Sequence, residues 1–130
     1  LNRLEQIVAA TQAQSENVDE CLMLDQMDQL VSVIAGNVFL VTEGELLTPV
    51  LDHCGVAGTR RRMIMDNWAP SIGLNVREAR LTLADLQHAD EVFYSNSLYT
   101  VRPVSAVGDQ SWRDHSVCEA LFNTCREAMV

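Results

Sequence analysis

Residues Thr48 to Arg62 read TPVLDHCGVAGTRRR, placing two glycines and three consecutive arginines in a chain that is otherwise acidic. A Gly-x-x-Gly turn that runs into a helix offers backbone N–H groups to an anion. The helix start carries partial positive charge, and its first amides lack intrahelical acceptors. Gly55 and Gly58 leave room for a close approach, and the amides of Thr59 and Arg60 are the candidate donors, helped by the Thr59 hydroxyl. No phosphate-cradling lysine follows, and the spacing also suits a plain helix start with solvated arginines. A second polar cluster, Ser95-Asn96-Ser97, falls at the end of a predicted strand. Strand ends often carry ligand-binding hydroxyls in α/β sheets, and an ordinary polar turn has the same composition.

Other residues able to do chemistry are less well arranged. Asp52, His53 and Cys54 are consecutive, and adjacent side chains diverge, so they make a poor catalytic relay. His88 and His115 are isolated and read as surface or satisfied structural residues. The four cysteines, at 21, 54, 118 and 125, form no C-x-x-C pair and have no histidine spacing that suggests zinc. They read as reduced thiols of a cytoplasmic protein, with Cys118 and Cys125 sharing the buried face of a helix.

These candidates need a scaffold, and the apolar pattern supplies one. Leu1, Leu4, Ile7 and Val8 predict a helix through about Gln14. CLMLD from Cys21 predicts a short buried strand and QMDQ a turn. The β-branched run Leu30 to Val41 predicts a single strand, irregular at Gly36. Gly44 suits a tight turn that leads to a returning strand, LLTP. A helix is expected from about Val56 to Ala69, stopped by Pro70, with Thr59, Met63, Ile64 and Trp68 on its inner face. LNVREARL alternates like a strand, and Thr82 and Asp85 have capping-box spacing for a short helix through Gln87.

Asp90 and Glu91 read as a solvated turn before two further strands, EVFYS and YTVRPVSAV. Ser111 and Asp114 are expected to cap a last helix with Val117, Leu121, Cys125 and Ala128 on its apolar face. Trp68, Phe93 and Phe122 are expected in the core. The expected fold is a single mixed α/β (α+β) domain over residues 1–130, rich in strands through its middle.

With 130 residues, 48% of them hydrophobic, the chain can bury a core. Its net charge of −9 excludes broad binding to nucleic acid or anionic membrane, both of which need a positive surface. Its longest apolar run is too short to span a bilayer.

Taken in order, LNRLEQ, VDECLMLD, GNVFLV, TPVLDHCGVAGTRRR and ADEVFYSNSLYTVRPV resemble the C-terminal large domain of the class IV, pyridoxal-phosphate-dependent aminotransferase-like family. Within it, the LNRLEQ start is most similar to the 4-amino-4-deoxychorismate lyase branch, which forms p-aminobenzoate for folate. D-amino-acid and branched-chain aminotransferases of the same fold, or a non-catalytic remnant, are the alternatives. The resemblance implies a barrel-like sheet flanked by helices, with the smaller N-terminal domain outside this chain. It also implies a small-molecule substrate, a homodimer and pyridoxal 5′-phosphate as cofactor.

The resemblance assigns roles residue by residue. Gly58 and the amides of Thr59 and Arg60 would hold the cofactor's phosphate. The Ser97 hydroxyl and the Leu98 amide would face phosphate or substrate carboxylate, and Arg61 would be structural. The family's cofactor-anchoring lysine would stand two residues before Leu1; all nine basic residues present are arginine. The family's glutamate at the pyridine nitrogen, counted back five residues from Asn37, falls on Ser32. A serine would leave that nitrogen unprotonated and weaken the ring as an electron sink, which a reaction that gains an aromatic ring tolerates better than transamination.

Overall fold

Strand β4 (Asn37–Thr42) is buried along almost its whole length, and the rest of the architecture follows from covering it on both faces. The computed structural model describes residues 3–8, 20–51, 58–96 and 100–128. A strand covered on both sides reads as a continuous apolar run instead of an alternation. NVFLV does so here, as does VFY in β7 (Glu91–Asn96).

In chain order the elements begin with β1 (Arg3–Val8), β2 (Glu20–Leu24), β3 (Leu30–Val33), β4 and β5 (Glu45–Pro49). A continuous helical stretch follows: α1 (Thr59–Met63), a π-helical turn (Ile64–Trp68) and α2 (Ala69–Ser71). Then come β6 (Asn75–Ala79), α3 (Leu83–Gln87), β7, β8 (Thr100–Pro103), β9 (Ala106–Val107), β10 (Gln110–Ser111) and α4 (Ser116–Ala128).

The central sheet has the order β6-β5-β4-β7-β8 and is antiparallel except for the parallel β5–β6 pair. An antiparallel sheet β1-β2-β3 accompanies it, and β9 and β10 form a small hairpin. Alternate residues of β4 and β7 serve two cores. Val38, Leu40, Val92 and Tyr94 pack with Leu22, Leu24 and Leu30 of the smaller sheet. Phe39, Val41 and Phe93 pack with Ile64, Trp68 and Leu121 of the helices. The rings of Phe39 and Phe93 stack with centroids 5.1 Å apart.

Most expected elements stand where the sequence puts them. Glu43 and Gly44 take the positive φ of a tight turn (52° and 79°), and Thr82 and Asp85 close both bonds of a capping box. Cys118 and Cys125 are free thiols on the buried face of α4. Among the described residues no helix is long and apolar enough to cross a membrane.

Several expectations fail. Residues 3–8 form a strand, not a helix. The register shifts between Leu4 and Gln6, and such a bulge breaks the two-residue period so that the spacing imitates a helix. The run from Leu30 to Val41 is two strands joined by a tight turn, with Val33 bridged to Gly36. YTVRPVSAV is likewise split into β8 and β9, since Pro103 has no N–H to continue a ladder.

The middle helix starts at Thr59, because Gly58 is extended (φ −78°, ψ 158°). It also passes Pro70 to reach Ser71. A proline inside an unbroken α-helix would clash with the carbonyl four residues back; the wider π turn just before α2 offsets that carbonyl. Ile64 and Trp68 face inward as expected, whereas Thr59 is exposed and Arg61 takes a buried place. Phe122 is 41% exposed. It follows Leu121 directly, and neighbours on a helix diverge by about 100°, so only one can enter the core.

Glu91 departs furthest from expectation. It is 1% exposed, not solvated, and its carboxylate accepts the amides of Val117 (3.1 Å) and Cys118 (2.8 Å). Asp114 accepts the Ser116 amide, while Ser111 lies in β10. The start of α4 is thus capped chiefly by a residue 26 positions earlier, whose negative charge suits the helix terminus. Burial nevertheless outweighs these bonds and holds the Glu91 pKa above its ordinary value of 4.5. The same burial, with Glu91 alongside, pushes the Cys118 thiol up to about 12, so it is inert as a nucleophile.

Glu91→Ala leaves two buried donors unpaired, and urea unfolding should show a loss of about 1–3 kcal/mol for each. The raised pKa sets the sign of the pH dependence. Glu91 contributes fully below pH 4.5, and that contribution is lost as pH rises through its folded pKa. The stability gap between wild type and Glu91→Gln should therefore narrow from pH 4 to neutrality, and a widening gap would contradict this.

Candidate anion-binding site

Two segments far apart in sequence, the β3–β4 turn and the start of α1, meet over the end of the central sheet. The turn is held from below by Glu20, whose two carboxylate oxygens accept the amides of Ile34 (2.9 Å) and Ala35 (3.2 Å). From the other side the Asn96 amide group donates to the Ala35 carbonyl at 2.9 Å. Gly36 lies directly on β7: a Cβ there would stand 2.3 Å from the Ser95 carbonyl oxygen. Only glycine lets the turn approach so closely.

The helix start is set by similar contacts. Gly58 packs on buried Asn37, and a Cβ there would meet Asn37 Oδ1 at 2.8 Å. Its carbonyl accepts the Arg62 amide, and no side chain caps the helix. The amides of Thr59 and Arg60 therefore have no intrahelical acceptor and no cap. Arg61 anchors the first turn, donating through Nη2 to the Pro49 carbonyl (3.1 Å) and to Glu78 (2.7 Å), which ties α1 to the ends of β5 and β6. The structural role expected of Arg61 matches this geometry.

Between these segments lies an open cavity of about 670 Å³, lined among others by Ser32, Ile34, Asn37, Gly58, Thr59 and Arg60. Four of the six residues expected at a cofactor site thus share one cavity. The other two, Ser97 and Leu98, lie outside the described residues, as do Asp52, His53 and Cys54. Ser32 is half-buried on β3 opposite Met23. The sequence reading missed the wall formed by Ile34, Ala35 and Asn96, and the Glu20 carboxylate that shapes it. The Gly36-Asn37 pair beside them was the available signal. Ser95 is fully buried with its hydroxyl unpaired, on the same sheet face as Asn37, and does not line the cavity. Among the described residues no three His, Cys, Asp or Glu side chains could hold a metal ion together.

The family model for amino-transferase class IV matches residues 1–107. The chain is 35% identical to an aminodeoxychorismate lyase of Vibrio harveyi over 82% of its own length and 39% of that protein's. It is also 35% identical to a D-alanine aminotransferase of Listeria monocytogenes, over 82% of this chain and 36% of that one. Among solved structures, 4-amino-4-deoxychorismate lyase from Pseudomonas aeruginosa superposes with a TM-score of 0.82 and 32% identity, over 89% of this chain and 43% of that one. An aminotransferase from Brucella abortus, solved with pyridoxal phosphate bound, shares the fold with a TM-score of 0.79 and 24% identity, over 84% and 39%. The chain therefore spans about two fifths of the length of these relatives.

The Gly58–Asn37 contact can be tested by a double-mutant cycle. Gly58→Ala, at an ordinary φ, should cost about 1–3 kcal/mol from crowding alone. In an Asn37→Ala background, where the crowding atom is gone, urea unfolding should show most of that cost removed.

Proposed function

The chain belongs to the class IV aminotransferase family, and we propose that it is the C-terminal, phosphate-binding part of a cytoplasmic, homodimeric lyase. With pyridoxal 5′-phosphate as cofactor, the lyase converts 4-amino-4-deoxychorismate to p-aminobenzoate and pyruvate. The observation that carries the reading is the uncapped start of α1, facing a cavity lined by the residues that the family pattern assigns to the cofactor. The donor set fits such a group: two free first-turn amides, a glycine where a side chain would intrude, and no carboxylate on the described lining.

When bound, the cofactor supplies an electron sink for bond breaking beside the substrate's amino-bearing carbon. This chain's residues bind and orient. The amides of Thr59 and Arg60 would donate to the phosphate, and the Ser97 hydroxyl and Leu98 amide are assigned to the same side. Arg61, held by Pro49 and Glu78, keeps the donors in place. Ile34 gives the pocket an apolar wall. Ser32 is the side chain assigned to the ring nitrogen; a hydroxyl does not hold a proton there as a carboxylate would. The lysine that the family pattern places before Leu1 would move the proton.

A helix terminus contributes about 0.3–1 kcal/mol toward holding an anion, up to ~2 when partly buried. Even millimolar affinity needs about 4 kcal/mol. Phosphate binding at α1 therefore depends on further contacts.

Identity to D-alanine aminotransferase is as high as to the lyase, so transamination is the rival reading. The full-length protein should release pyruvate from 4-amino-4-deoxychorismate, measured by coupling to lactate dehydrogenase. Amination of 2-oxo acids without pyruvate release would favour the rival. Absorbance titration of the loaded protein should show an unprotonated ring nitrogen, and Ser32→Glu should shift the band toward the protonated form; a protonated nitrogen in the wild type would refute the role of Ser32.

A further inference from the structure

The three consecutive arginines have different fates. Arg61 is committed to Pro49 and Glu78, and Arg62 is exposed and does not line the cavity. Arg60 does line it, and its Nε is shielded from solvent without a hydrogen-bond partner. Among the described lining residues it is also the only one with an ionisable side chain. Glu20, the carboxylate bonded to the opposite wall, already accepts the amides of Cys21, Ile34 and Ala35.

We infer that the Arg60 guanidinium is an oxyanion-binding group of this cavity. This goes beyond the Arg60 backbone amide and rests on the reading of the cavity as a cofactor and substrate site. A guanidinium keeps its charge across the working pH range and presents a planar fork that matches carboxylate or phosphate. A shielded donor without an acceptor is rare in a finished fold and marks a place where a ligand completes the bonding. In a chain of net charge −9, a cavity whose only ionisable described lining group is cationic is a local attractor for anions. Ile34 on the opposite wall favours an anion with an apolar body, so a substrate carboxylate fits as well as the cofactor's phosphate.

The full-length protein, Arg60→Gln and Arg60→Lys would be compared by calorimetry with benzoate and with inorganic phosphate, each with and without cofactor. Pyridoxal phosphate and pyridoxal would be titrated separately. Arg60→Gln should weaken at least one oxyanion tenfold or more, and Arg60→Lys should recover part of the loss. Weakened benzoate with unchanged pyridoxal phosphate assigns Arg60 to substrate carboxylate. Weakened pyridoxal phosphate with unchanged pyridoxal assigns it to the cofactor. If all four ligands stay within twofold in a variant that unfolds at the wild-type urea midpoint, the inference is overturned. Should Arg60→Gln fold poorly, Arg60→Lys decides, with a threefold or greater loss supporting the inference and no loss refuting it. Arg60-dependent benzoate or phosphate binding in a protein that takes no pyridoxal phosphate would uphold Arg60 and remove the cofactor reading.

Discussion

The β4–β7 pair is closed to water on both faces, so every polar group along it must bond within the protein. The ladder satisfies the backbone, with Asn37 opposite Ser95 and Val41 opposite Glu91. Polar side chains are confined to the ends of the pair, where other segments can meet them. One end holds Glu91, under the first turn of α4. The other holds Asn37, under the first turn of α1. Both helices thus start over polar residues of one strand pair, which fixes where their unpaired amides lie.

The two ends differ in how those amides are treated. At α4 a buried carboxylate accepts them, and the helix start is closed. At α1 the neighbour is a neutral amide side chain pressed against a glycine, and the first-turn donors stay available. A carboxylate beneath α1 would both cap those donors and repel any anion. The chain's acidity is consumed elsewhere in the same way: Glu20 serves the β3–β4 turn and Glu78 serves Arg61. A strongly acidic protein can therefore keep a locally cationic cavity.

Relatives that match this chain equally well carry out different reactions, so the shared frame does not select among them. What varies is the cavity lining, where Ser32, Ile34 and Arg60 are features of this chain. Each acts on something different: the ring nitrogen, the apolar wall and the oxyanion.

Local sequence determined a good deal here. The positive-φ turn at Gly44, the Thr82–Asp85 capping box and the amphipathic last helix each depend on residues within a few positions of one another, so spacing alone reveals them. The ordered motifs likewise bring Ser32, Gly58, Thr59 and Arg60 into one expected site without any knowledge of long-range contacts. What failed depended on distant partners. Residues 3–8 are a strand because β2 offers a ladder, and Glu91 is buried because α4 starts above it. Phe122 is exposed because Leu121 takes the inward direction. Whether a charged side chain is solvated, caps a helix or waits for a ligand depends on what packs against it, and long-range packing leaves no period in the sequence. Tertiary structure alone therefore separated Arg60, Arg61 and Arg62, three identical neighbours in the chain with three different environments.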